Sequence, residues 1–142
     1  MSYQGYLFKV GNFTIPLSMM SHESYKVTKN DQDVDSYRDA NGELHRNALT
    51  HYSVKVEFEI PPMKKDNEIE IFFNRLYAQF NDTSDGNANA TEKCATCTAY
   101  VPELRGYHSA KMYLNSSVEF PIYRATSQFV QYQAIRLAFI EY

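Results

Sequence analysis

The chain has 142 residues, enough for one domain whose core needs no disulfide or metal staples. A net charge of -3, with the 14 Lys and Arg scattered rather than clustered, excludes general nucleic-acid binding, which requires a basic footprint. No run approaches the ~20 apolar residues of a membrane span. Residues 1–6 have neither the basic nor the apolar region of a secretory signal, so folding in a cytoplasm is expected, with later export inside a particle still open.

The aromatic content is skewed, with 12 Tyr, 9 Phe and no Trp. Such rings favour pleated, half-buried surfaces, and tyrosine is frequent at protein–protein interfaces. Residues 5–15 predict a hairpin in which Tyr6, Phe8 and Val10 alternate with Leu7 and Lys9, Gly11-Asn12 turns, and Pro16 ends the return strand. A second strand region is predicted over residues 22–29, with Tyr25 and Val27 on its apolar face. The composition then becomes polar through residues 30–33. Residues 35–50 form a polar turn centred on Asn41-Gly42, the strongest short hairpin signal in the chain, since both residues tolerate positive φ.

Residues 52–60 alternate cleanly, with Tyr52, Val54, Val56, Phe58 and Ile60 on one side and Ser53, Lys55, Glu57 and Glu59 on the other. This is the pattern of an antiparallel strand with one wet face, and Pro61-Pro62 ends it. Residues 66–80 predict the helix: Ile69, Phe72, Phe73, Leu76 and Phe80 form one stripe, and Asp66, Glu68 and Glu70 occupy its first turns. Residues 81–92 read as a flexible polar loop without an apolar anchor. Asn81-Asp82-Thr83, Asn89-Ala90-Thr91 and Asn115-Ser116-Ser117 match glycosylation acceptors, which mean little without a signal peptide. Further strands are predicted over 94–101, 110–114, 118–123 and 129–142, the last apolar on both faces and therefore central or covered on both sides. The expected fold is mainly β: an antiparallel β-sandwich or small barrel in a single domain, 1–142, with one flanking helix and a protruding hairpin at 35–50.

Chemistry is sparse. There is no Gly-x-Ser-x-Gly elbow, and five glycines form no phosphate cradle. Asp31, Asp33, Asp35 and Asp39 lack the glycine and bidentate glutamate of a calcium loop. His45 and His51, flanking Arg46, read as exposed side chains rather than ligands, and Glu57 and Glu59 beside Lys55 as surface charge or cross-strand pairing. Cys94 and Cys97 supply half of a tetrahedral zinc site. On a strand their Cα atoms are roughly 10 Å apart, too far for an easy disulfide. Two reduced cysteines are expected, with a metal site shared across a subunit interface as the alternative. No catalytic residue, cofactor or metal follows, and an enzyme is not expected.

In a hairpin centred on Asn41-Gly42, positions 38 and 45 pair approximately, which brings Arg38 and Arg46 together at its base with Asp35 and Asp39 balancing them. Asp35, Tyr37, Arg38, Asp39, Asn41, Gly42 and Arg46 are thus candidate contacts to a neighbouring subunit, through directional arginine–carboxylate pairs. The alternative is an exposed hairpin with local ion pairs of little weight.

The motifs Val-Gly-Asn-Phe-Thr-Ile-Pro (10–16), Lys-Val-Glu-Phe-Glu (55–59), Thr-Ala-Tyr-Val-Pro (98–102) and Ala-Ile-Arg-Leu-Ala-Phe-Ile-Glu (134–141) accompany the core Arg38, Ala40, Asn41, Gly42 and Arg46. Together, from Tyr6 to Tyr142, they resemble a family of small tail proteins from phages and prophages of Gram-positive bacteria, similar in layout to distal-tail and tail-tube proteins. The resemblance implies a β-sandwich or small barrel with one helix and a long hairpin, and a virion structural role near the tail tip or baseplate. It also implies assembly into a homo-oligomeric ring, six-fold by analogy, next to tube, hub and tape-measure proteins. Neither the Cys94/Cys97 pair nor residues 81–92 belong to it. A receptor- or carbohydrate-binding sandwich at the particle tip is the alternative, weakened by the lack of Trp.

Overall fold

Strand alternation and one amphipathic stripe account for most of the architecture in the computed structural model, which describes residues 3–33, 35–115 and 118–142. In chain order the elements are β1 (Phe8–Val10), β2 (Phe13–Thr14), β3 (Lys26–Asp33), β4 (Tyr37–Arg38), β5 (Leu44–His45), β6 (Ala48–Ile60) and α1 (Asp66–Phe80). They continue as β7 (Cys94–Val101), β8 (Gly106–Leu114), β9 (Ile122–Ala125), β10 (Val130–Tyr132) and β11 (Ile135–Glu141). One seven-stranded sheet runs β2-β1-β7-β8-β11-β6-β3, and β4-β5 and β9-β10 are separate two-stranded ribbons. Every pairing is antiparallel.

The large sheet bends over itself without closing, so β1 faces β6 and β11. The Phe8 ring lies 4.7 Å from Phe139 and 6.1 Å from Phe58 between ring centroids, and all three are fully buried. At the open seam, the Tyr25 hydroxyl, just before β3, lies 3.1 Å from the Leu7 carbonyl and 3.0 Å from the Tyr100 carbonyl, sharing its hydrogen between them. Burial pushes the phenol up from its ordinary value, which keeps it a donor.

Helix α1 buries Ile69, Phe72, Phe73, Leu76 and Phe80, the stripe read from the sequence. Its N-terminus is held by Glu68, whose carboxylate accepts the Lys65 N–H at 3.2 Å. Phe72 meets Phe13 edge-on, and Gln79 Oε1 accepts the Asn12 N–H at 2.9 Å, tying the β1–β2 turn to the helix. Gly11 is required in that turn. Its φ is 56°, and a Cβ there would lie 2.5 Å from Gln79 Oε1.

Several strand boundaries differ from the sequence expectation, among them β8, which begins at Gly106 rather than at residue 110. The strand expected over 22–29 begins at Lys26 and runs through the polar residues to Asp33, and β6 begins at Ala48 rather than Tyr52. Main-chain pairing continues from Lys26↔Glu57 to Asp31↔Tyr52 and, beyond an irregularity, to Asp33↔Ala48. Polar side chains on such a ribbon can face water while the backbone is paired, so composition does not mark the strand's end. The strand expected over 118–123 lies instead at Ile122–Ala125, overlapping the expectation only at Ile122 and Tyr123. The long strand expected over 129–142 breaks at Gln133 and Ala134, β10 pairing with β9 while β11 lies between β6 and β8. The central position of β11 agrees with its two apolar faces.

Residues 81–92 are anchored, contrary to the sequence reading. Ala88 packs against the core, and the Asp85 carboxylate accepts the Thr96 N–H and hydroxyl, both at 2.9 Å. Asp82, Asp85 and Asn89 each fold the loop by accepting an N–H two residues ahead. In the triplet Asn115-Ser116-Ser117, the two serines lie outside the described residues.

Candidate functional site

The β3–β6 ribbon leads into the β4–β5 tip, so residues 35–50 form the end of one long arm. The tip turn is not a two-residue Asn-Gly turn. The Gly42 N–H donates to the Asp39 carbonyl at 2.9 Å, the Asp39 N–H to the Glu43 carbonyl at 3.0 Å, and of Asn41 and Gly42 only Gly42 has positive φ, at 80°. This is a type I-like turn followed by a left-handed glycine, the three-residue hairpin loop. The longer loop changes the register: Tyr37 pairs with His45 and Arg38 with Leu44, correcting the expected pairing of 38 with 45.

Asp39 organises the tip. Its Oδ1 accepts the Asn41 and Glu43 N–H groups at 2.9 and 3.0 Å, and its Oδ2 accepts His45 Nε2–H at 3.0 Å. The His45 hydrogen bond, then the Glu43 N–H, hold its carboxyl below the ordinary value. The His45 ring stacks on Tyr37 at 4.9 Å. Arg38 turns inward and donates from Nη1 to the Gly42 carbonyl at 2.9 Å; Arg46, just past β5, is also engaged. Asp35 stands at the arm's base with φ 54°.

Cross-strand partners project to the same side of a ribbon, so the tip has two unlike faces. One carries Tyr37 and His45. The other carries Arg38 and Leu44, a cation beside an aliphatic side chain that is 46% exposed. Donor atoms of Asp39, Glu43 and His45 lie within 4.8 Å of one another, the one such grouping found among the described residues. Asp39 already spends both oxygens on the turn and on His45, so the trio is read as what stiffens the tip. Of the other acidic and histidine candidates, the side chains of Asp33 and His51 lie outside the described residues.

Cys94 and Cys97 are buried free thiols on β7. Their odd spacing turns them to opposite faces. Cys94 donates to the Asn87 carbonyl at 3.2 Å under the 81–92 loop, while burial pushes the Cys97 thiol up, disfavouring the thiolate that binds metals. Glu57 accepts from Lys55 at 2.8 Å and from Arg136 at 3.0 Å, and these two contacts lower its carboxyl.

Sequence reasoning missed a groove of about 370 Å³ between α1 and the segment leading to β9, lined by Asp66, Glu70, Phe73, Tyr77, Phe120 and Tyr132 among others. Phe73 meets Phe120 edge-on at 5.1 Å, and Phe120 remains 42% exposed. Asp66 and Glu70, four residues apart, put two carboxylates on one rim. Of its lining, Ile69 and Phe73 were legible as part of the stripe; Tyr77 was not, and the opposite wall, Phe120 and Tyr132, comes from far along the chain, which no local pattern connects.

The chain matches over residues 1–142 the family of unknown function DUF6711. No curated protein matches it. Among solved structures it is similar to a chain in the tail of an empty gene transfer agent particle, computed with helical refinement and C6 symmetry, at 12% identity and a TM-score of 0.53, covering 99% of this chain and 95% of that one. A chain from the virion of a native gene transfer agent particle gives 14% identity and a TM-score of 0.48 over the same shares. At such identities the likeness is one of fold.

Proposed function

We propose that this chain, which belongs to the family of unknown function DUF6711, is a non-enzymatic structural subunit of a phage or phage-derived tail. One observation carries the reading: the fold similarity to a gene transfer agent tail chain covers 99% of this chain and 95% of that one. The arm supports it, because a ribbon stiffened at its own tip can reach a neighbour without support from the body. On this reading the subunit joins a homo-oligomeric ring, six-fold as in the similar tail, near the tail tip or baseplate. Its contacts run through residues 35–50 and its sheet edges, next to tube, hub and tape-measure proteins. It is made in the host cytoplasm and ends in the virion. No described helix is long and apolar enough to cross a membrane.

The test is to disrupt the gene in its phage or prophage and image the particles by electron microscopy, while probing wild-type particles for the chain by mass spectrometry. Tailless or tip-deficient particles, with the chain present in wild-type tails, are expected. Intact infectious particles that lack the chain would overturn the reading.

A further inference from the structure

We infer that the Arg38–Leu44 face of one subunit's arm docks into the groove between α1 and residues 118–132 of a second copy. This rests on the reading of the chain as a self-assembling tail subunit, and it supplies the acceptor surface that reading leaves unnamed.

The two surfaces are complementary in chemistry. The groove has aromatic walls, Phe73, Tyr77, Phe120 and Tyr132, and a rim bearing the Asp66 and Glu70 carboxylates. The arm face presents Leu44, an aliphatic side chain exposed at the end of a ribbon, directly across from the Arg38 guanidinium. Leu44 would enter between the rings while Arg38 meets the rim acids, a charge-assisted contact of the kind that fixes register. Arg38 keeps Nη1 on Gly42 and has other N–H donors on the same planar group for a partner carboxylate.

The geometry favours a second copy as the occupant. Within one chain, the arm leaves the body at the β3 edge of the sheet, whereas the groove lies beside α1 and the β9–β10 ribbon. Arm and groove are therefore different patches, and pairing them is heterologous, the kind of contact that closes rings or extends filaments rather than making two-fold dimers.

Two full-length variants, Leu44→Cys and Asn74→Cys, test this when mixed under mild oxidation, since Asn74 lines the groove and the native thiols are buried. Sedimentation velocity on the wild-type chain runs alongside. Cross-linking is expected to be roughly tenfold faster than for Leu44→Cys mixed with Ser109→Cys, a position away from the groove. Adding Arg38→Glu to the arm variant should slow it to the control rate, and adding Glu70→Lys to the groove variant should restore it, which a merely misfolded arm would not permit. Assembly with cross-linking at the control rate, or without response to the charge exchange, overturns the docking and leaves the tail reading standing. A chain that stays monomeric and does not cross-link also overturns docking between copies; if it is nevertheless found in tails, the arm's partner is a different protein.

Discussion

Two small ribbons accompany the large sheet, and they are held in opposite ways. The β4–β5 tip is maintained by its own side chains, with Asp39 joined to two backbone N–H groups and His45, and Arg38 to Gly42. The β9–β10 ribbon is maintained by the body. Met63 N–H donates to the Tyr132 carbonyl at 2.8 Å, Tyr132 N–H to the Lys64 carbonyl at 2.9 Å, and the Lys65 ammonium lies 4.8 Å from the centre of the Phe129 ring. A self-braced ribbon can stand in solvent and keep its shape. A ribbon braced by the main chain of its neighbour is part of a wall, and its exposed Ile122 and Tyr123, with Phe120 just before it, mark a fixed apolar surface.

That contrast fails if the arm carries the fold. Phe139→Ala, removing the ring packed on Phe8 and Phe58, should lower the unfolding free energy by about 3–5 kcal/mol in urea melts. Replacing residues 36–46 by a short turn should leave the midpoint nearly unchanged. Equal losses from the two changes would refute the self-braced arm. A smaller effect is expected at the seam. Tyr25→Phe should cost about 1 kcal/mol, because Leu7 O keeps the Tyr100 N–H while the second acceptor is left without its hydroxyl. Gln79→Ala should cost somewhat less, about 0.5–1 kcal/mol, by freeing the Asn12 N–H at an exposed turn.

The smallest effect is local and depends on pH. Because the folded-state value of Asp39 lies below its unfolded one, the ordering it gives the tip is present above the ordinary aspartate range and disappears as pH falls through the depressed value. NMR titration should show the Asn41 and Glu43 amide signals moving together with a midpoint below that of an ordinary aspartate, while global stability at neutral pH is insensitive to Asp39→Asn. A midpoint at or above the ordinary value would remove Asp39 as the organiser of the tip.

Much of the fold was legible. Helix 66–80 and strand 94–101 agree with the structure at both ends, since each is long and strongly periodic and its period reports which side is buried. The polar hairpin was legible as an arm, but its register was not. The Asp39 side chain competes with the backbone for the turn's N–H groups and converts a two-residue turn into a three-residue one, moving Leu44 opposite Arg38. The anchoring of residues 81–92 was hidden for a related reason: the residues that signal a loop, Asp and Asn, are also those that pin it once Thr96 and Cys94 are brought alongside.

By itself, the sequence determined the antiparallel β class, the single helix, the buried stripe and the polar arm, because periodicity and turn chemistry are local properties of the chain. Only the tertiary structure decided the sheet order, the extension of β3 and β6 through polar residues, the open seam bridged by Tyr25, and the acid-rimmed groove. Each of these joins residues far apart in the chain, and their pairing is chosen by which surfaces can be buried together rather than by any single segment's preference.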